Sequence, residues 1–192
     1  MARSKEFDPD VAVDKAMEVF WTQGYAATTP QQLTDALGIG RGSLYNAFSS
    51  KHALFERALR RYYARETSRL IEVLDGPGTA RERIGAALGL VVSEACRDDL
   101  RRGCMITNAA VELTRQDEAV SKLVHRALSR QEAAFQCAIE EGQRAGEISA
   151  DRDAATLAFF FVATINGIRV LAKAVPDRQR LAGVAETALR AL

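Results

Sequence analysis

Arg41, Gly42, Ser43, Tyr45 and Asn46 fall within one short stretch of the 192-residue chain. A guanidinium can pair bidentately with guanine, and a carboxamide with adenine, in the major groove of DNA. Arg41, Ser43 and Asn46 are therefore candidates for base edges. Tyr45, Thr29 and Lys51 are candidates for phosphate contacts, which position a protein without reading sequence. Gln31 and Gln32 stand where backbone contact is within reach. Lys51 and His52 begin a helix, and free N–H groups beside a lysine at such an end suit a phosphate. Two alternatives stay open: Arg41 clamps a phosphate instead, and Tyr45 packs half-buried beneath the motif.

These side chains need two short helices held at a fixed angle. Thr29 is placed to cap the first, Pro30 falls at its first position, and Gln32 completes a capping box. Leu33, Ala36 and Leu37 form its apolar side. Gly38 suits the left-handed exit, and Ile39 is the apolar plug before the next helix. Gly40, a weaker cap than serine, or Arg41 opens that helix. Leu44 and Phe48, four apart, face inward, which leaves Arg41, Gly42, Ser43, Tyr45 and Asn46 on the other side. Ser50 caps a third helix. This is the spacing of a helix-turn-helix with Arg41–Ala47 as the reading helix.

Composition allows one compact unit or two small helical domains, with 47% apolar residues and only 4 prolines, which points to an all-α chain. Net charge is +1, so bulk charge does not announce nucleic acid. Arginines 57, 60, 61, 65 and 69 cluster after the reading helix, where the plain alternative is a solvated helix face. The polar N-terminus shows no signal peptide, and the apolar run 154–162 is too short to cross a bilayer. A cytoplasmic protein is expected, with no membrane partner. Cys96, Cys104 and Cys137 have no disulfide or zinc spacing. His52 and His125 belong to no Ser-His-Asp set, metal pair or phosphate-cradling loop. No catalytic residue, metal or cofactor is expected.

Periodicity and breaks give about nine helices. The first runs over Pro9–Gln23 with Asp8 as cap. A long one over Lys51–Leu74 links a domain at 1–50 to another at 78–192, with Asp75-Gly76-Pro77-Gly78 as the clearest break. Later helices are expected from Thr79 to about Cys96, over Cys104–Arg115, Asp117–Ala145, Asp153–Ala174 and Asp177–Leu192.

The segment Val13–Phe55 resembles the DNA-binding domain of the TetR family of bacterial transcriptional repressors. The residues that carry the resemblance are Ala16, Phe20, Gly24-Tyr25, Thr28-Thr29, Leu33, Ala36, Gly38-Ile39, Gly42-Ser43-Leu44-Tyr45, Phe48, Lys51 and Leu54. Many members carry a larger polar residue where Ala47 stands, so base reading here leans on Asn46. The resemblance implies an N-terminal three-helix helix-turn-helix domain and a C-terminal helical domain for ligand binding and dimerisation. It implies double-stranded DNA with a palindromic operator as partner, a small-molecule effector, and a homodimer that presents two reading helices roughly 34–36 Å apart or somewhat more.

The family also implies that the last two helices pair with their mates. The helix over 154–174 is apolar nearly all round at its start and must be covered on more than one side. Phe161, Ile165, Ile168, Leu181, Val184 and Ala188 are the expected interface; the alternative is that they close the monomer core. For the effector, Cys104, Asn108 and Glu112 share one face. Met105, Phe135, Ile139, Phe160 and Thr164 would supply walls. The alternatives are that Asn108 and Glu112 satisfy helix ends or arginines, and that the apolar residues are core. Cys104, following Arg101 and Arg102, is either a thiol sensor of oxidants and electrophiles or a small buried hydrophobe. A DNA-binding architectural or recruiting protein without a ligand is the remaining rival.

Overall fold

The computed structural model describes residues 7–192; residues 1–6, which begin the expected 1–50 domain and carry the polar N-terminus, lie outside the described residues. Among the described residues there are nine α-helices and no strand. They are α1 (Pro9–Gln23), α2 (Pro30–Leu37), α3 (Arg41–Phe48), α4 (Lys51–Leu74), α5 (Ala80–Arg97), α6 (Met105–Leu113), α7 (Glu118–Arg144), α8 (Ala154–Ala174) and α9 (Arg178–Leu189).

Short polar side chains set most of the helix starts. Asp8, Thr29, Ser50, Thr79, Asp117, Asp153 and Asp177 each accept a hydrogen bond from a backbone N–H of the first turn. In the Thr29 box, Oγ1 accepts from the Gln32 N–H at 3.2 Å, and Gln32 Oε1 accepts from the Thr29 N–H at 2.8 Å. Such a cap is worth about 1 kcal/mol. The helices without a side-chain cap are α3, preceded by Gly40, and α6, preceded by Cys104. Gly38 leaves α2 with φ +70°, the left-handed exit that favours glycine. In α2 the buried side is Leu33, Thr34 and Leu37, and Ala36 is exposed rather than apolar lining.

Two apolar cores form, and they cut across the chain. The first joins α1, α2, α3 and the first half of α4 to α6 and the start of α7: Phe20, Leu44, Phe48, Phe55 and Tyr62 share it with Met105, Ile106, Ala109, Leu113 and Val124. The second holds the end of α4 with α5, the later part of α7, α8 and α9, around Leu74, Leu88, Phe135, Phe161 and Ile165. Helices α4 and α7 run through both cores, and α6 packs as part of the floor beneath the helix-turn-helix.

Helix α8 has the length and composition of a membrane span. In this fold it lies against α5, α7 and α9 and turns Arg169 inward, so it serves as a core helix. Its two apolar faces do different work, which corrects the interface read from the sequence. Phe161, Ile165 and Ile168 face the core of their own chain, as do Leu181 and Ala188 of α9. Of the six expected interface residues only Val184 is exposed. The outward stripe is Phe159, Phe160, Ala163, Val170 and Leu171. In an all-apolar helix, neighbouring phenylalanines such as Phe160 and Phe161 differ by about 100° of rotation, and hydrophobicity does not choose between them.

One glycine carries a packing constraint. A Cβ on Gly142 of α7 would stand 2.7 Å from both the Ala80 Cβ and the Ile148 Cδ1. Gly142→Ala is therefore expected to destabilise the fold by about 1–3 kcal/mol through overpacking, read as a lower urea midpoint with an unchanged slope.

Candidate nucleic-acid interface

Helix α3 is anchored by Leu44 and Phe48, both buried, and its opposite side is open. Arg41, Gly42 and Asn46 are exposed, while Ser43 and Tyr45 are half-buried. The Arg41 guanidinium carbon lies 5.8 Å from the centre of the Tyr45 ring, so Tyr45 both packs on the motif and steadies the arginine beside it. In α2, Gln31 and Gln32 are exposed; Gln31 donates to Asp35 at 2.8 Å and Gln32 is held in the capping box with Thr29.

Lys51 has a structural task. Its ammonium donates to the Tyr25 and Thr28 carbonyls, each at 2.9 Å, and sits 4.3 Å from the Tyr25 ring centre. It thereby fastens the turn between α1 and α2 to the start of α4. His52 contacts the Asp117 carboxylate and has Glu56 at 3.2 Å. Asp117 caps α7, so this contact ties the start of α4 to the second half of the chain. Burial alone would raise the Asp117 carboxyl; the Val120 N–H, His52 and the Ala119 N–H outweigh it and hold it below the ordinary aspartate range. The basic run of α4 is largely internal traffic: Arg60 pairs with Glu56, Arg61 with Asp10 and Asp14, and Arg69 with Glu94.

A second set of contacts joins the end of α1 to the α5–α6 loop and to α6. Glu112 accepts from the backbone N–H groups of Tyr25 at 3.0 Å and Ala26 at 2.6 Å. Gly24 permits this, since its φ is +81° and a Cβ there would lie 3.2 Å from a Glu112 oxygen. The Trp21 indole N–H donates to the Gly103 carbonyl at 2.8 Å. The Arg102 guanidinium stacks 3.7 Å from the Trp21 ring centre and pairs with Glu18 and, at 2.9 Å, with Asp98. Glu18, Trp21, Arg102 and Gly103 do not stand out in the sequence as site residues. The only hint there is a lone tryptophan and the Arg102-Gly103-Cys104 string.

The expected effector residues do not gather in one cavity. Glu112 caps the α1–α2 turn. Asn108 donates to the Arg102 carbonyl at 2.9 Å and accepts from Lys173 at 3.1 Å. Both line an open cleft of about 650 Å³ between the end of α1, α6 and α8. Cys104 and Met105 are buried in the first core, and Phe135 and Ile139 are sealed in the second. Phe160 and Thr164 instead face an outer groove of about 520 Å³ along α8 and α9, shared with Val184 and Ala188. Helical spacing aligns these residues correctly on each helix, but which helix lies opposite is a tertiary matter.

Residues 12–58 match the profile of bacterial regulatory proteins of the tetR family, and residues 70–188 match that of the tetracyclin repressor-like C-terminal domain. The chain is 31% identical to the HTH-type transcriptional regulator YezE of Bacillus subtilis (strain 168), over 100% of both chains. It is 30% identical to the HTH-type transcriptional repressor ComR of Escherichia coli (strain K12), over 98% of this chain and 90% of ComR. Among solved structures, a cysteine-substituted form of the TetR family regulator CifR, complexed with 26-bp double-strand operator DNA, superposes with a TM-score of 0.88. It is 36% identical, with 99% of each chain covered.

Because both carbonyls held by Lys51 lose their donor without it, Lys51→Met is expected to lower unfolding free energy by about 1–3 kcal/mol in urea denaturation. An unchanged midpoint would leave the ammonium free for other work.

Proposed function

We propose that this chain, which belongs to the TetR family of bacterial transcriptional regulators, is a dimeric repressor whose paired α3 helices read a palindromic operator and which a small-molecule effector releases. The observation that carries the reading is α3 itself: its apolar side is locked into the first core by Leu44 and Phe48, and Arg41 and Asn46 are held outward with Ser43 and Tyr45 beside them. Arg41, Ser43 and Asn46 take base edges; Tyr45, Thr29 and the turn around Gln31 and Gln32 take phosphates. Lys51 and His52 contribute by holding the turn and the start of α4. The similarity to CifR, whose substituted form is complexed with operator DNA, supports the same use of this surface.

The outward faces of α8 and α9 would pair across a two-fold axis, through Phe160, Ala163, Thr164, Val170, Leu171 and Val184. An apolar stripe of this kind is uncommon on a monomer, and self-complementary pairing fits a two-fold dimer. Release works through α6. This helix lies in the core beneath the helix-turn-helix, and Glu112 grips the α1–α2 turn. An effector that prefers a shifted α6 therefore prefers a shifted reading head. Its effect on DNA affinity equals its preference between the two states, and DNA weakens effector binding by the same factor.

A second reading concerns Cys104. Its sulfur lies 3.9 Å from an Arg169 nitrogen, at the residue that precedes α6. An electrophile adding to that sulfur would form a C–S bond as the S–H bond breaks and its proton passes to solvent or to the adduct, at the residue immediately before the coupling element. Burial of the side chain opposes the reading. A Cys104→Ser protein that still leaves DNA on electrophile treatment would remove it.

Binding-site selection from random duplexes is expected to return an approximate palindrome. Arg41→Ala should then lose about 1–3 kcal/mol of discrimination at one base-pair position in each half-site. Val184→Asp should give a folded monomer by analytical ultracentrifugation, with weakened operator binding. A uniform loss across all sequences for the arginine variant would assign Arg41 to the phosphates, and a dimeric aspartate variant would move the interface elsewhere.

A further inference from the structure

Arg169 is the least expected residue of the second half. It sits on the inner face of the most apolar helix and is 7% exposed. Among the described residues no carboxylate pairs with it, and its one hydrogen-bonding contact is the Cys104 sulfur at 3.9 Å. A guanidinium has five N–H donors and no acceptor, and thiol sulfur is a weak partner. Burying such a cation is costly unless something receives those donors.

The guanidinium lines a cleft of about 400 Å³ where α1, α4, α5 and α8 meet. Trp21, Tyr62, Leu90 and Ala95 give this cleft apolar and aromatic wall. Its charged residues are mostly committed to each other. Arg102 serves Glu18 and Asp98, while Arg69 serves Glu94 at 3.2 Å and reaches Glu66 at 3.9 Å. The lining arginines outnumber the carboxylates by one; among the described residues Arg65, Arg97 and Arg169 have no ion pair, and of these Arg169 is the buried one.

We infer that this cleft is a binding site for a small monocarboxylate with an apolar body, its carboxylate received by the Arg169 guanidinium and its body laid against Trp21 and Tyr62. The planar fork matches a carboxylate bidentately. A single charge fits the surplus of one. A dianion would meet Glu66 and Glu94, which already press on each other: burial and then Glu66 push the Glu94 carboxyl above its ordinary range, against Arg169 and Arg69. The volume suits a molecule at the small end of ligand sites. The consequence for DNA rests on the effector-release reading; the binding itself does not. A molecule here would touch Trp21, whose indole is bonded to Gly103 and covered by Arg102, and so would act on the contacts between α1 and the α5–α6 loop.

Trp21 is the only tryptophan of the chain and lines both this cleft and the neighbouring one beside Asn108 and Glu112, so its emission reports on this end of α1 and the Arg169 variants assign the signal to this cleft. The probes are benzoate and the straight-chain carboxylates from butanoate to octanoate, each beside its primary amide, with inorganic phosphate as the dianion, all titrated into the full-length protein without DNA. At least one carboxylate is expected to change Trp21 emission saturably, with its amide and phosphate weaker by about tenfold or more. Arg169→Gln should lose that preference and Arg169→Lys should keep part of it. The amide comparison on the unsubstituted protein stands even if a variant does not fold. The inference is overturned if no carboxylate moves the emission, if amides or phosphate bind as well, or if folded Arg169→Gln binds as before. Operator affinity, followed separately by anisotropy of a labelled duplex, keeps the two claims apart. Carboxylate binding with unchanged operator affinity supports the site and sinks the release reading. Operator release by other compounds, with Trp21 silent to every carboxylate, does the reverse.

Discussion

The constraint on which the rest depends is that the helix-turn-helix shares its core with the second half of the chain. Phe20, Phe55 and Tyr62 are buried against Met105, Ile106, Ala109 and Leu113 of α6. Helices α2 and α3 have eight residues each, and helices so short are marginal in water without packing. They keep their angle because α1 and α4 are pinned, and α1 and α4 are pinned partly by α6. Packed interiors shift between discrete arrangements rather than deform smoothly. A change at α6 must therefore be absorbed by the reading head or resisted outright.

Polar contacts sharpen this coupling. A carboxylate that accepts from two N–H groups, as Glu112 does at Tyr25 and Ala26, ties the turn to α6 twice, and a shift of α6 that carries it out of hydrogen-bonding geometry loses both. Asp117 and His52 add a second tie at the start of α4. The helices without a side-chain cap are α3 and α6. Elsewhere a Ser, Thr or Asp settles the helix start. At these two starts that stabilisation is missing, which leaves their first turns softer and open to other partners.

How much of the fold was legible in the sequence depends on the range of the interactions involved. Caps, glycine exits and the inward pair Leu44 and Phe48 depend on neighbours within a turn or two, and the structure has them where local spacing puts them. In the sequence Lys51 reads as a phosphate contact and Glu112 as an effector residue or a group that satisfies a helix end, and the particular groups they hold are not legible there. Their partners, the carbonyls of Tyr25 and Thr28 and the amides of Tyr25 and Ala26, are backbone groups that lie 23 to 87 residues away. Backbone groups leave no mark in side-chain patterns. The faces of α8 failed for another reason. With Phe159, Phe160 and Phe161 in succession, periodicity has no minimum from which to fix a direction.

Arg169 is the charged residue of α8 that shares a side with Phe161 and Ile165. A charged residue in an apolar helix ordinarily marks the solvent side, and that rule would have turned Phe161, Ile165 and Ile168 outward or sideways. The fold does the opposite and buries the charge with them. Replacing a buried charge with an apolar residue of similar size is often neutral or stabilising, so stability alone gives little reason for an arginine here. Selection for folding would favour a leucine or methionine. A residue that breaks the local pattern, lines a cleft and lacks an ion pair is better explained by what it binds than by what it holds together. Its contact with Cys104, the first residue before α6, puts that binding at the root of the helix on which the reading head rests.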